Sequence, residues 1–408
     1  MRSKIDRKAR FLKTNIFIVA IAIFSFVALP AHSQTVEEYV EEALRENPGI
    51  KSAETKYRIS AEKASEISWG NTEFSGGYSF GEMEMGMMPT AEFSVMQMVP
   101  WFGMLGAKRN YATALADAEQ IEKEIAERNL ALAVEQKFYK LYELKAKQKV
   151  IDSNVQLLQV YEQMALTSVE VGKASAVEVL RLQMRQNDLL EKKQVLAKEY
   201  VSEKEAFEKM LNRQESRPLS IPDTLELPSE EKFTRNLSLH PELVKYEKLD
   251  RAISLSESVN RKESSPQLGI GAEYMYFTDN PDMVMPMVSL SIPIFNKKYR
   301  SVTRQNKLRQ EELEFQKQQT YNQLSAALYQ AIASRDAARI KVETQTKNVR
   351  QAENAQQILL RNYETGTINF REVLDVQELQ LQFQMKRIEA AAAYFQQQAI
   401  IEYLVKGN

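Results

Sequence analysis

Two hydrophobic periods alternate along the chain, and each alternation occurs twice. Residues 36–68 and 236–263 are rich in Ala, Glu, Lys and Ser with no period-2 beat, which predicts helix over both stretches. From Glu73 the beat changes. Phe74, Gly76, Tyr78 and Phe80 share one face of EFSGGYSF, and Phe93, Val95, Gln97 and Val99 share one face of EFSVMQMV. The second half repeats this with Leu268, Ile270, Ala272, Tyr274 and Tyr276, then Val284, Pro286, Val288, Leu290 and Ile292. Such alternation predicts four strands in two hairpins, at about 71–99 and 266–293. Each strand has about ten residues, the length a tilted strand needs to cross a bilayer.

After each hairpin the helical period returns and persists. Leu130, Val134, Phe138 and Leu141 recur at helical spacing within 107–171, as do Leu324, Leu328 and Ala331 within 297–365. No glycine falls within 107–171 or 173–268, and no proline follows Pro293, so nothing punctuates these helices. At 1.5 Å per residue each would run to about 100 Å. Gly172 and Gly366 break them, and the helical pattern returns over 174–211 and 369–405, which predicts antiparallel coiled-coil pairs.

The order of elements is a duplication. Asn47-Pro48, Val99-Pro100-Trp101-Phe102 and Glu170-Val171-Gly172 recur as His240-Pro241, Ile292-Pro293-Ile294-Phe295 and Glu364-Thr365-Gly366 at a nearly constant offset. A period this long marks a doubled structural unit rather than a solenoid. The first repeat is 34–212 and the second 236–408, with the Pro- and charge-rich segment 213–235 crossing between them. Four strands cannot close a barrel, and an open sheet in lipid leaves backbone groups unpaired at both edges. The strands must be pooled between copies. Two copies give eight strands, a barrel filled by its own side chains; three give twelve, with room for water. The fold class is therefore mostly α with a membrane β-barrel, built on a duplicated unit of long coiled-coil helices and two β-hairpins per chain.

Composition narrows the function. Six basic residues precede the 14-residue apolar run 16–29, followed by Pro30 and Ala31-His32-Ser33, the parts of a cleaved signal peptide over residues 1–33. Fourteen residues are too few to span a bilayer core of about 30 Å. The chain has no cysteine, which excludes disulfides, thiolate zinc sites, iron-sulfur clusters and a cysteine nucleophile. Its 54 Lys and Arg against 55 Asp and Glu leave no basic excess for nucleic acid.

With these motifs in their order, the chain resembles the TolC-like outer-membrane efflux proteins over residues 35–404. The resemblance rests on the duplicated series of helix, hairpin, long helix, glycine tip and return helix, on the VPWFG and IPIFN elements, and on the tip motifs running from Val169 to Leu180 and from Tyr363 to Asp375. It implies a homotrimer with a twelve-stranded barrel in outer-membrane lipid and an α-helical periplasmic tunnel. It also implies docking on a periplasmic adaptor and an inner-membrane efflux pump, and a passive duct rather than an enzyme. The tip residues Gly172, Lys173, Gly366 and Thr367 would then meet the adaptor. Glu372 and Asp375 take the role of acidic constriction residues that narrow the periplasmic mouth and favour cations; three copies would supply six carboxylates. Both also suit the helix N-terminus, whose dipole favours acids. Where TolC has an arginine two positions after the tip glycine, this chain has Ile368, so that latch is not carried over.

Other residues invite particular readings. Trp69 and Trp101, with Phe102 and Phe295, bracket the hairpins at their periplasmic ends and fit an aromatic belt at the headgroup level. Gly77-Tyr78-Ser79-Phe80-Gly81 matches the nucleophile-elbow pattern, but it sits inside an alternating strand instead of a strand-to-helix turn. Nothing points to a cofactor. Methionine is the anomaly: eleven of 16 lie in or beside the hairpins. Met96, Met98, Met275, Met283, Met285 and Met287 fall opposite the apolar faces, hence toward a lumen, where thioethers suit Cu(I) and Ag(I) as well as simple space-filling. Within the resemblance they point toward its copper- and silver-exporting branch. The expected function is an efflux duct, with heavy metals among the cargo it could carry. The competing expectation, an exported coiled-coil scaffold or adhesin, gives no reason for four apolar-alternating strands with aromatic ends.

Overall fold

The computed structural model describes residues 35–79, 89–172, 175–215, 217–229, 236–278, 280–294, 296–365 and 367–405. The signal segment, Phe80, Gly81, the loop methionines 83, 85, 87 and 88, Lys173, Phe295 and Gly366 lie outside the described residues. The first half runs α1 (Val36–Glu46), α2 (Pro48–Glu62), β1 (Thr72–Tyr78), β2 (Ala91–Val99), α3 (Met104–Glu170) and α4 (Ala176–Met210). The second runs α5 (Pro241–Glu263), β3 (Gln267–Tyr276), β4 (Met283–Ser291), α6 (Lys298–Glu364) and α7 (Phe370–Val405).

The helices α3 and α6 have 67 residues each, which at helical rise is about 100 Å. Helix α4 returns along α3 and α7 along α6, while α3 also packs on α7 and so joins the halves. Neither long helix carries one continuous apolar face. Buried positions drift around α3 from Ala112, Ala114 and Ala116 to Leu141 and Leu144 and on to Leu158 and Tyr161, because its neighbours change along its length. Alanine fills the upper part, where backbones approach closely.

The initial helix expected over 36–68 is two helices. Pro48 has no N–H and pushes the preceding residue out of the helical region, so Asn47 is extended at φ −64°, ψ 126°. Asn47 then caps α2, its Oδ1 accepting from Gly49 N at 2.8 Å, and its Nδ2 donates to the Met210 carbonyl at 2.9 Å. The expected start at 236 likewise moves to Pro241, with His240 as cap: Nδ1 accepts from Glu242 N at 3.3 Å. The duplicated Asn-Pro and His-Pro are thus one device used twice, a side-chain cap followed by proline in the first turn.

Between the halves, residues 217–229 lie as a strap across the helices. The Ser220 N–H donates to Tyr39 Oη at 2.8 Å, Leu225 N–H to Tyr142 Oη at 3.3 Å, and Lys145 Nζ to the Ile221 carbonyl at 2.6 Å. Ile221 enters a core with Tyr39, Phe138, Leu141 and Phe207. Just before the strap, Arg213 makes a two-pronged pair with Glu42 at 2.7 and 2.6 Å.

The four strands form one antiparallel sheet in the order β1-β2-β3-β4. The central β2–β3 ladder pairs Ala91 through Val99 with Tyr276 through Leu268 and so fuses the hairpins of the two repeats.

Candidate functional site

The register sorts the sheet into two chemically different faces. Phe74 opposes Val95, Phe93 opposes Tyr274, Ile270 opposes Val288 and Tyr274 opposes Val284, so one face is apolar from edge to edge. On the other face Met96 opposes Gly271, Met98 opposes Gly269, Gly271 opposes Met287, Glu273 opposes Met285 and Met275 opposes Met283. All six strand methionines share that second face with Glu73, Glu92 and Glu273. Exposure separates the faces further. Phe74 is 77% and Val288 75% exposed. Met96, Met98, Met275 and Met287 are half-buried and Gly269 is buried, whereas Met283 and Met285 are exposed.

This geometry is that of a barrel wall. Strands β1 and β4 each have a neighbour on one side alone among the described residues. No helix among them is long and apolar enough to cross a membrane. Ser79, the centre of the elbow-like pattern, continues the β1–β2 ladder by donating its N–H to the Thr90 carbonyl at 3.1 Å. Gly77 and Tyr78 of the pattern lie in β1, and its Phe80 and Gly81 lie outside the described residues. Among the described residues no three or more His, Cys, Asp or Glu cluster as a metal site would need.

Where sheet becomes helix, Trp101 meets Phe102 edge-on at 5.9 Å, Phe102 is 85% exposed, and Trp69 and Ile294 are exposed beside them. The glycine of VPWFG has a backbone reason. Gly103 has φ +77°, a left-handed conformation at the start of α3 that a side chain disfavours. In the second repeat Asn296 stands at this place and its Oδ1 accepts from Lys298 N at 2.8 Å. Lys262 Nζ secures the first junction by donating to the Phe102 carbonyl at 3.2 Å.

At the far end, Gly172 has φ +71° and closes α3, its N–H donating to the Val169 carbonyl at 3.0 Å. Ser175 then caps α4 by accepting from Val177 N at 3.3 Å. The second tip is tied differently: the N–H and hydroxyl of Thr367 both donate to the Asn362 carbonyl, at 3.0 and 2.8 Å. The two tips share a core in which fully buried Phe370 packs edge-on to Tyr161 at 5.4 Å, and Tyr363 Oη donates to Ser168 Oγ at 3.1 Å. Ile368 packs against this core and contributes apolar contact.

Glu372 and Asp375 are exposed in the first turns of α7. A neighbour with no signal beyond its charge changes their arithmetic: Arg371 Nε lies 3.9 Å from Asp375 Oδ2, four residues along the helix. Each chain therefore presents two carboxylates and one guanidinium. A second feature unmarked in the sequence is a buried amide pair below the tips, where Gln377 Nε2 donates to Asn154 Oδ1 at 2.6 Å. Polar contacts inside an apolar helical seam fix register, since any slip leaves them unpaired.

The family model described as outer membrane efflux protein matches residues 239–404. Among solved structures, the outer membrane protein VceC of Vibrio cholerae shares the fold with TM-score 0.72 at 15% identity, over 91% of this chain and 96% of VceC. The outer-membrane channel OprN gives 0.76 at 15% identity, over 91% and 90%. CusC, whose structures concern folding and transmembrane channel formation, gives 0.73 at 16% identity, over 91% and 92%. No curated protein matches the chain by sequence.

Proposed function

We propose that the chain is an outer-membrane channel protein with a periplasmic extension and not an enzyme, in keeping with the outer membrane efflux protein model that matches residues 239–404, and that three copies close into the exit duct of a tripartite efflux system. The observation that carries this reading is the four-stranded sheet, apolar on one face and, among the described residues, open at both edges. Edge-to-edge pairing of β4 with the next copy's β1 satisfies both edges and turns every apolar face to lipid. Eight strands would leave an interior filled by side chains, whereas twelve leave an aqueous bore, which a duct requires. Mass measurement of the detergent-extracted complex is expected to give three copies. A water-soluble monomer would overturn the reading.

Trp69, Trp101, Phe102 and Phe295 would sit at the inner headgroup level. The α3–α4 and α6–α7 pairs would carry the bore across the periplasm, with Gly172, Lys173, Gly366 and Thr367 at the tips for a periplasmic adaptor that brings an inner-membrane pump. Exposed Val171, Val177, Leu180 and Met184 supply apolar contact beside the first tip. The duct has no energy source of its own, so cargo must be handed over by the pump. The inner-face methionines give soft cations, Cu(I) and Ag(I), weak contacts along the way.

At the mouth Glu372 and Asp375, less the offset of Arg371, leave one net negative charge per chain and a preference for cations. Replacing both acids by Ala leaves Arg371 and inverts the local charge. Single channels in planar bilayers at low salt, where screening is weakest, should then shift from cation toward anion preference, and Arg371→Ala alone should increase cation preference. Unchanged selectivity in both variants would place the constriction elsewhere.

A further inference from the structure

The inner-face methionines are not equivalent. A side chain added at Gly269 would place its Cβ 2.9 Å from Met98 Sδ, 3.1 Å from Ser289 Cβ and 3.2 Å from Met96 Sδ, and one at Gly271 would clash with the Val95 carbonyl before it met Met96 Sδ and Cε at 3.1 Å. Both sulfurs thus come together over Gly269 of β3. A glycine inside a strand weakens it, with no side chain to pack and more chain entropy to lose, and marks a close approach. Here two of them stand opposite two methionines in consecutive rows. At Gly271 the Val95 carbonyl already demands glycine, whereas at Gly269 the nearest atom is a methionine sulfur, a clearance that simple space-filling by so adaptable a side chain would not need.

The surroundings add charge without adding hard ligands at the sulfurs. Glu73 is the cross-strand partner of Met96, and Glu92 and Glu273 lie on the same face. Carboxylates raise the local concentration of any cation. Thioethers then discriminate, favouring soft monovalent ions such as Cu(I) and Ag(I) over Mg²⁺ or Ca²⁺, which want oxygen. With two sulfurs and no thiolate or imidazole, the contact stays weak enough for release, as conduction requires.

We propose that Met96 and Met98, laid over Gly269 and Gly271, form a two-sulfur resting site for Ag(I) and Cu(I) on the inner wall of the barrel. It rests on the reading of that face as the wall of a duct. Its signature is a sulfur pair made by glycine clearance, so the pair should respond before the other inner-face methionines do.

The test uses the full-length extracted complex carrying methionine labelled with ¹³C at the methyl, titrated with silver nitrate in chloride-free buffer. The Met96 and Met98 methyl signals, assigned by single changes to Leu, are expected to shift first and together, while Met164, Met184 and Met385 in the helices stay still. Gly269→Ala, which pushes a methyl between the sulfurs, should weaken Ag(I) binding at the pair about tenfold. The volume-conserving double change Met96→Leu with Met98→Leu should abolish those shifts at unchanged complex mass, and it serves if the alanine variant fails to fold. Shifts that follow exposure alone, or a Gly269→Ala complex that binds as before, would overturn the site. Conductance in planar bilayers on the same sample separates the two claims. Conduction without a silver response at the pair removes the site and keeps the duct, and a silver response in a complex that does not conduct removes the duct.

Discussion

Tyr39→Ala should destabilise the equatorial core by about 3–5 kcal/mol, the range for removing a fully buried aromatic side chain. The Tyr39 ring is completely buried, edge-on to Phe207 at 5.3 Å and tilted against Phe138 at 5.8 Å, with the Arg213 guanidinium 5.5 Å from its centre. Its hydroxyl accepts the Ser220 N–H and so holds the strap. Tyr39→Phe keeps the ring and forfeits only that bond, about 1 kcal/mol. Urea unfolding of the extracted complex measures the first loss, and hydrogen exchange at the Ser220 amide reports the second. A Phe variant as unstable as the Ala variant would show that the hydroxyl, and not ring packing, secures the strap.

His240 should make the protein acid-sensitive in a defined window. The side chain is 3% exposed, and burial pushes its pKa down from 6.5 to about 4, with Arg128 adding to the depression and Glu124 opposing it. Above pH 6.5 the ring is neutral whether folded or not, and the cap costs nothing. As pH falls from 6.5 toward 4, the unfolded chain takes up a proton that the folded chain refuses, so stability falls, by about 3 kcal/mol in all. Protonation would also remove the Nδ1 lone pair that receives the Glu242 N–H. His240→Asn copies the cap that Asn47 provides in the first repeat and does not titrate. The variant should match the native protein near pH 7 and exceed its stability near pH 4, compared by urea unfolding. Carboxylates elsewhere cancel in that difference. Equal stabilities at both pH values would mean that His240 charges freely in the folded protein.

Both residues illustrate what a sequence makes legible. The strands could be read because one face is apolar and side chains alternate with a strict period of two, and the long helices because glycine and proline are missing from them. The face assignment of the six methionines follows from that same alternation and agrees with the register. What could not be read depends on contacts between distant segments. The pairing of Tyr39 with Ser220 joins residues with no common pattern. The clearance over Gly269 requires knowing that β2 lies beside β3, and in sequence Gly269 and Gly271 are simply small residues in an alternating run. Asn47-Pro48 and His240-Pro241 were visible as a repeat, yet their role as caps, and hence the division of the first helix, appears only in the backbone. Arg371 was plain to see, but its effect on Asp375 depends on where the helix begins.

The β2–β3 ladder also fixes an order of events. Its paired residues are about 170–185 positions apart, so the sheet cannot be completed until nearly three-quarters of the chain has been made. The α3–α4 pair, by contrast, turns at Gly172 and needs only neighbouring chain, and contacts of short range form sooner. During maturation the α3–α4 half of the helical stalk should therefore exist before the sheet is complete. The first hairpin alone presents a narrow apolar ribbon, and the wide apolar face arises in one step when the second hairpin docks. Such timing would keep the stickiest part of the molecule unfinished until the first helical pair is in place beneath it.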